Sequence, residues 1–197
     1  MSKFDKVIKR IFDIVLSIIG LVFTWPIIFI SWIIATIDTK SNGMFIQKRV
    51  GQNGKLFNVY KIKTMKYIPN IDTTITTKDD MRITKSGAFF RKYKIDELPQ
   101  LFNVLKGDMS FVGPRPDVPG YADQLEGEDR IILSIKPGIT GPATIKYKNE
   151  EELLAKVDNP KQYNDEIIWP DKVKINKEYI NNWSLKKDIE YIIKTIK

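Results

Sequence analysis

The chain of 197 residues contains no cysteine and no histidine. These two absences exclude thiol nucleophiles, triads with an imidazole base, disulfide bonds and every zinc site built on sulfur or imidazole. Any chemistry falls to Asp, Glu, Lys, Arg, Tyr, Ser or Thr, with a hard cation such as Mg²⁺ as the natural helper, because it prefers oxygen ligands. No G-x-G-x-x-G follows a strand and no G-x-x-x-x-G-K-[ST] occurs, so dinucleotide-binding and P-loop folds have no support. There is no internal repeat, heptad run or low-complexity tract. What is present is a 43% hydrophobic content and a net charge of +8. The first is enough for one buried core, and the second points to anionic partners: phosphate groups, nucleic acid or an acidic membrane surface.

Between Asp13 and Asp38 lies an uncharged run, Ile14 to Ile37. As a helix it would be about 36 Å long, enough to cross a bilayer. It is too long for a typical signal-peptide core and no small-x-small cleavage site follows it, so it is expected to be retained. Pro26 divides the run into two arms of about 18 Å each, because its ring and missing N–H disrupt a helix interior. Basic residues flank both ends: Lys3, Lys6, Lys9 and Arg10 before, Lys40, Lys48, Arg49 and Lys55 after. The positive-inside tendency then puts both flanks in the cytoplasm. A re-entrant helix that turns at Pro26 satisfies both observations, and a kinked transmembrane helix is the alternative. The expected division is a membrane helix with its flanks over 1–40 and a cytoplasmic-face domain over 41–197.

The fold class expected is α+β, a mostly helical single globular domain with one β-hairpin. Met44 to Val50 and Leu56 to Lys63 alternate apolar and polar residues around Gly51-Gln52-Asn53-Gly54, the pattern of that hairpin. Ile68 to Asp80 is Thr-rich and without period, a surface loop. A helical segment starting near Ser86 or Asp96 carries Leu98, Leu101, Phe102 and Leu105 on one face and stops at Gly107. Ala143 to Tyr147 reads as a β-like run, and Asn149 with three following Glu reads as a helix start. Ser184 can cap a last helix whose stripe of Leu185, Ile189, Ile192, Ile193 and Ile196 is expected to face the core, with a membrane-surface face as the alternative.

Ionisable residues crowd Arg91-Lys92-Tyr93-Lys94-Ile95-Asp96-Glu97. An ordinary structural role accounts for part of this, with Asp96 as a helix cap, Glu97 in the first turn and Pro99 where its missing N–H does no harm. A chemical role fits as well: a carboxylate held among Arg and Lys stays ionised, and the same cations attract phosphate. Asp96 could then act as nucleophile and Glu97 hold Mg²⁺. Arg115, between Pro114 and Pro116 in a stiff loop, suits bidentate binding of phosphate oxygens. Lys61 and Lys63, on one face of the second hairpin strand, and Arg91 are further phosphate-binding candidates.

Several strings together resemble one known family. They are Lys9-Arg10-x-Phe12-Asp13 with the Pro26 anchor, Gln47-Lys48-Arg49-Val50-Gly51, Lys61-Ile62-Lys63-Thr64-Met65, Asp96-Glu97-Leu98-Pro99-Gln100-Leu101-x-Asn103-Val104, Gly107-Asp108-Met109-Ser110-x-Val112-Gly113-Pro114-Arg115-Pro116 and Pro137-Gly138-Ile139-Thr140-Gly141. The chain resembles the bacterial sugar transferases, in their small monotopic form acting as polyprenyl-phosphate phosphoglycosyl transferases. The resemblance implies that Asp96 attacks the sugar-bearing phosphate of a UDP-sugar, releasing UMP, and that undecaprenyl phosphate then takes the phosphosugar. It further implies Glu97 as a Mg²⁺ ligand, Arg115 as a phosphate-binding residue, a re-entrant anchor and a location at the cytoplasmic face of the bacterial inner membrane. The implied partners are the UDP-sugar, undecaprenyl phosphate and membrane lipid, with no nucleic acid and with room for a homo-oligomer. Lys63 stands where the family pattern has Arg, and the residues after Gly141 depart from it, which leaves the sugar open. Two other classes compete: a non-catalytic, membrane-anchored basic module that binds phosphate or lipid, and an Asp-dependent polyprenyl-linked phosphatase.

Overall fold

The computed structural model describes residues 1–68 and 80–196. The expected loop over 68–80 therefore lies, apart from its two ends, outside the described residues. The first helix, α1, runs Lys3–Thr39 as one element with Pro26 inside it, about 55 Å of helix by its rise per residue. Ser2 opens it with a capping box shared with Asp5, and Lys40 closes it in the left-handed region at φ 50°. Thr24 donates its hydroxyl to the Gly20 carbonyl at 2.7 Å, two residues before the proline.

The sides of α1 are the reverse of a soluble helix. Lys9, Asp13, Ser17, Ser31, Ala35 and Thr39 are buried, while Val15, Ile18, Val22, Phe23, Trp25, Phe29, Ile30 and Ile37 are exposed. A helix that turns its polar side to protein and its apolar side outward is suited to a surrounding of hydrocarbon.

The hairpin forms as expected: β1 (Met44–Val50) pairs antiparallel with β2 (Leu56–Ile62), from Met44↔Ile62 to Val50↔Leu56. Asn53 and Gly54 take positive φ, 59° and 77°, in the turn between them. Next come α2 (Lys85–Lys92), a single 3₁₀ turn over Ile95–Glu97 and α3 (Gln100–Lys106), which stops at Gly107 with φ 98°. The one helix expected through this region is thus divided, and Asp96 and Glu97 sit ahead of α3 rather than capping it.

A second pairing went unanticipated: β3 (Ser110–Val112) lies parallel to β4 (Gly138–Thr140). The backbones touch closely, for a Cβ on Gly138 would sit 2.2 Å from the Gly113 nitrogen. The expected β-like run after Gly141 is corrected to a helix, α4 (Pro142–Lys146), because Pro142 is accommodated at a helix start. Then follow α5 (Glu150–Leu154), α6 (Pro160–Tyr163), a π turn, α7 (Trp169–Asn181) and α8 (Leu185–Ile196).

Three apolar clusters fill the interior. Val50, Val112, Ile132, Leu133, Ile135, Val173, Tyr179 and Ile180 make the largest. Val59, Val104 and Met109 join the hairpin to α3, and Ile28, Ala35, Ile62 and Phe90 join the second half of α1 to β2 and α2. The stripe expected on α8 is only partly inside. Ile192 packs against the largest cluster, Ile189 and Ile193 are exposed, and the fully buried side chain is Asp188.

The reason for that reversal is Lys9. Its ammonium meets the Asp188 carboxylate at 2.5 Å, and Asp188 also accepts hydrogen bonds from Tyr179 at 2.7 Å and Trp183 at 3.0 Å. A buried carboxylate needs such a set of partners, and apolar neighbours on α8 yield the inward position to it. The same arm of α1 holds two further parts of the domain. Arg10 donates to the Val104 and Leu105 carbonyls at the end of α3, at 2.6 and 2.8 Å. Asp13 accepts from the Ser110 hydroxyl and the Phe111 N–H at the start of β3, at 3.1 and 3.0 Å.

Candidate active site

The acidic pair is mounted on the short turn between α2 and α3. Lys94 enters it with φ 57°, a conformation that costs energy for a side chain other than glycine. The turn is closed by Glu97 N–H to the Lys94 carbonyl and Leu98 N–H to the Ile95 carbonyl, both 3.2 Å. Ile95 and Leu98 pack on the cluster of Ile28 and Ala35, so the turn rests directly on α1. On its other side Asn103 locks α3 to the hairpin, accepting from the Tyr60 N–H at 3.1 Å and donating to the Asn58 carbonyl at 2.6 Å. That contact brings Lys61, the next residue on β2, opposite Glu97.

Lys61 reaches Glu97 Oε1 at 3.0 Å, and Arg115 reaches the same oxygen at 3.3 Å. Glu97 is 15% exposed and Arg115 50%, so the pair opens to solvent on the guanidinium side. Burial works to raise the Glu97 carboxyl, but the charges of Arg115 and Lys61, the Lys61 hydrogen bond and the charge of Lys94 outweigh it and hold the group at about 2. Asp96 moves the other way. Burial and the Glu97 charge push it above the usual aspartate range, against the pull of Lys61, Lys94 and Arg91. Its Oδ1 is buried and accepts no hydrogen bond among the described residues. Two adjacent carboxylates thus differ in character: one is held as an anion in a cationic clamp, the other is more basic and carries an oxygen without a hydrogen-bond partner among the described residues.

Of the residues singled out from sequence, Asp96, Glu97, Lys61 and Arg115 come together. Arg91 stands at the edge, its charge acting on Asp96 while its guanidinium donates to Thr64 Oγ1 at 2.9 Å. Lys63 lies apart, bonded to Ser41 Oγ at 2.7 Å near the end of α1. Pro26 belongs to the exposed length of α1. Four residues were overlooked. Arg49 donates to the Pro116 carbonyl at 3.3 Å, and Lys94 acts on both acids. Asp117 lies beside Arg49, Arg115 and Lys172, and burial raises its carboxyl to about 6. Arg49 was visible within Gln47-Lys48-Arg49-Val50-Gly51, and Asp117 by its place after Pro116. Lys172 gave no signal, being 55 positions further along the chain.

The fit of Mg²⁺ can be judged from the oxygen donors. Lys61 and Arg115 both engage Oε1 of Glu97, and among the described residues Oε2 makes no hydrogen bond. That leaves Glu97 one carboxylate oxygen able to take a hard cation. Among the described residues no three metal-ligating side chains converge, so Glu97 would provide part of a coordination shell rather than a full cage. That suits Mg²⁺, which keeps water and phosphate oxygens as ligands.

Two adjacent carboxylates of opposed character, ringed by Lys and Arg and resting on an apolar-faced helix, make a site suited to anionic groups near a membrane. The comparison with known proteins makes the class specific: the chain matches the family described as bacterial sugar transferase over residues 4–197, and it belongs to that family. It is 35% identical over 203 residues to the UDP-glucose:undecaprenyl-phosphate glucose-1-phosphate transferase of Klebsiella pneumoniae, covering all of this chain and 41% of that protein. It is 34% identical over 209 residues to the undecaprenyl-phosphate galactose phosphotransferase of Salmonella typhimurium, covering 98% of this chain and 40% of that protein. A shorter relative, the uncharacterized sugar transferase EpsL of Bacillus subtilis, is 35% identical over 191 residues, 97% of this chain and 86% of its own length. The chain therefore spans about two fifths of the longer relatives. Its apolar helix and its family are consistent with a membrane location.

Proposed function

We propose that the chain is a phosphoglycosyl transferase that moves a sugar 1-phosphate from a UDP-sugar to undecaprenyl phosphate, as the first membrane step of glycan assembly. The observation that carries the reading is the opposed pair, Asp96 raised and Glu97 held at about 2, inside the Lys61, Arg115 and Arg91 charges. In the first step an Asp96 carboxylate oxygen attacks the sugar-bearing phosphorus. The bond from phosphorus to the bridging oxygen breaks, UMP leaves with that electron pair, and the phosphosugar stays on Asp96. In the second step a phosphate oxygen of undecaprenyl phosphate attacks the same phosphorus, and the Asp96 carboxylate departs. The product is undecaprenyl-diphosphate-sugar.

In this reading Lys61 and Arg115, which meet at Glu97, neutralise phosphate oxygens as negative charge shifts onto the leaving group. Glu97 would hold Mg²⁺, which when bound neutralises diphosphate charge and so makes UMP a better leaving group. The relatives carry different sugars in their names, glucose in one and galactose in another. That supports a sugar-nucleotide donor as the class while leaving the hexose open.

The test is UMP release from a panel of UDP-sugars with Mg²⁺ and undecaprenyl phosphate in lipid nanodiscs. Inorganic phosphate as the product would instead favour a phosphatase, and no product a binding module. The acid limb of kcat/KM follows Asp96, which must be ionised to attack. Because its pKa is raised, activity is lost as pH falls through a midpoint above the ordinary aspartate value of about 4. Lys94→Gln removes a charge that favours the anion, so its limb shifts to higher pH. A limb unmoved by that substitution contradicts the assignment.

The reading includes a re-entrant anchor bent at Pro26, with both flanks and the catalytic domain on the cytoplasmic face. Support comes from docking at both ends: Lys9 and Asp13 touch α8 and β3, while Ala35 packs near Phe90 and Asp38 accepts from Ser86 on α2. Residues 9 and 38 would be about 44 Å apart on a straight helix, more than the roughly 30 Å of hydrocarbon that a spanning helix must clear. With both ends held on one body, a bent helix entering one leaflet accommodates the exposed apolar side. Cysteines introduced as Lys3→Cys and Asn42→Cys are expected to be labelled from the same side of sealed vesicles. Labelling from opposite sides would replace the re-entrant form with a span.

A further inference from the structure

Beyond Arg115 the loop over 113–117 faces a second wall that the two-step chemistry does not use. The loop is tied to the end of β1, where the Val50 N–H donates to the Asp117 carbonyl at 2.9 Å. The Asp117 side chain is half-buried, yet among the described residues its carboxylate accepts no hydrogen bond. Lys172, Arg49 and Arg115 surround it closely enough for their charges to act on it, without contact. Each of the three is engaged elsewhere: Lys172 with both Glu150 oxygens at 2.8 and 2.6 Å, Arg49 with Gln47 and Pro116, and Arg115 with Glu97. Lys172 also stands 5.6 Å from the Tyr147 ring, whose hydroxyl donates to Asp171 at 2.7 Å, so this wall is braced from α4 through α7.

A half-buried carboxylate among donors that do not reach it takes its hydrogen bonds from water, and a ligand that displaces that water must supply donors in its place. A second phosphate is a poor candidate, because Asp117 and Glu150 would repel it. Hydroxyls suit the place, since one O–H can donate to Asp117 while its oxygen accepts from a lysine or arginine. Arg115 sets the location, as it touches Glu97 on one side and lies next to Asp117 on the other.

We infer that Asp117, backed by Lys172 and Glu150, forms a hydroxyl-binding subsite beside the reacting phosphate, where ring hydroxyls of the donor donate to the Asp117 carboxylate. The inference rests on the transferase reading, and the hydroxyls belong either to the transferred hexose or to the ribose of the nucleotide. Charged hydrogen bonds of this kind carry about 10- to 100-fold in kcat/KM.

The experiment compares wild type with Asp117→Asn on a parent UDP-hexose, its monodeoxy analogues and the 2′-deoxyribose analogue. Asp117→Asn keeps the shape of a side chain that has no hydrogen bond to lose, so its unfolding midpoint is expected to match wild type. The parent donor should lose about 10- to 100-fold, whereas the analogue lacking the contacted hydroxyl should react equally with both proteins. Equality with a deoxyhexose assigns the subsite to the transferred sugar, and equality with the deoxyribose analogue assigns it to the nucleotide. The same fractional loss on every donor overturns the proposal. Calorimetric binding of these donors on an Asp96→Asn background separates the two claims. Hydroxyl-specific binding without wild-type UMP release would remove the transferase reading and keep the subsite, and turnover with uniform losses would do the reverse.

Discussion

Asp96→Asn is expected to reduce UMP release by about 10⁴-fold or more, with the protein still folded. The expectation follows from the environment of the side chain rather than from its charge alone. Asp96 offers a buried, unpartnered Oδ1 with a raised pKa, and an amide there is neutral and a very weak nucleophile. Glu97 cannot substitute for it, because Lys61 and Arg115 share one of its oxygens and hold it as a weakly basic anion. Glu97→Gln should therefore fail differently, leaving Lys61 and Arg115 without their carboxylate and weakening Mg²⁺ dependence. If Asp96→Asn retained a tenth of wild-type UMP release, the nucleophile would have to be sought elsewhere.

Lys9→Met is the substitution expected to cost most in stability, about 3 to 5 kcal/mol, measured by thermal or denaturant unfolding in detergent micelles. Methionine fills most of the space but leaves the Asp188 carboxylate buried without its counter-charge, with Tyr179 and Trp183 as its remaining partners. The double variant Lys9→Met, Asp188→Asn should recover much of the loss, since a neutral amide can accept from Trp183 through its oxygen while its N–H donates to the Tyr179 hydroxyl. A cost below about 1 kcal/mol for Lys9→Met would mean that the pair does not hold the anchor to the C-terminal helices.

How far the fold could be read from the chain depended on whether a local pattern was long enough. The hairpin was legible because seven-residue strands show their alternation and Asn53-Gly54 supplies the positive φ values of the turn. The β3–β4 pair was not, since three residues per strand carry no period, and the close approach of Gly113 and Gly138 is a long-range event. Lys9 was read as a flanking charge that orients the membrane helix, and its role as a docking residue was missed. The spacing of Lys9, Asp13 and Ser17, four residues apart, was the available clue to a polar face turned toward protein. On α8 a count of isoleucines pointed inward, but the buried position went to Asp188, whose partner lies 179 residues away in sequence.

The candidate site was legible in its motifs and illegible in its borders. Asp96, Glu97 and Arg115 stand in strings whose resemblance is specific, and Lys61 follows from the strand that carries it. Lys63 was grouped with Lys61 on strand alternation, but β2 ends at Ile62 and the side chain leaves for Ser41. Lys94 and Asp117 act through charge at positions that no periodicity marks, and Lys172 comes near Asp117 from α7, whose Val173 lies in one cluster with Val112.

The central claim is a covalent phosphosugar on Asp96, and intact-protein mass spectrometry after exposure to UDP-sugar without acceptor tests it most directly. The account predicts a mass gain of one hexose phosphate on wild type, localised to the peptide containing Asp96, absent from Asp96→Asn and discharged by undecaprenyl phosphate. UMP release and lipid-linked product formed with no such adduct, even on rapid quenching, would contradict it and point to direct transfer between the two substrates.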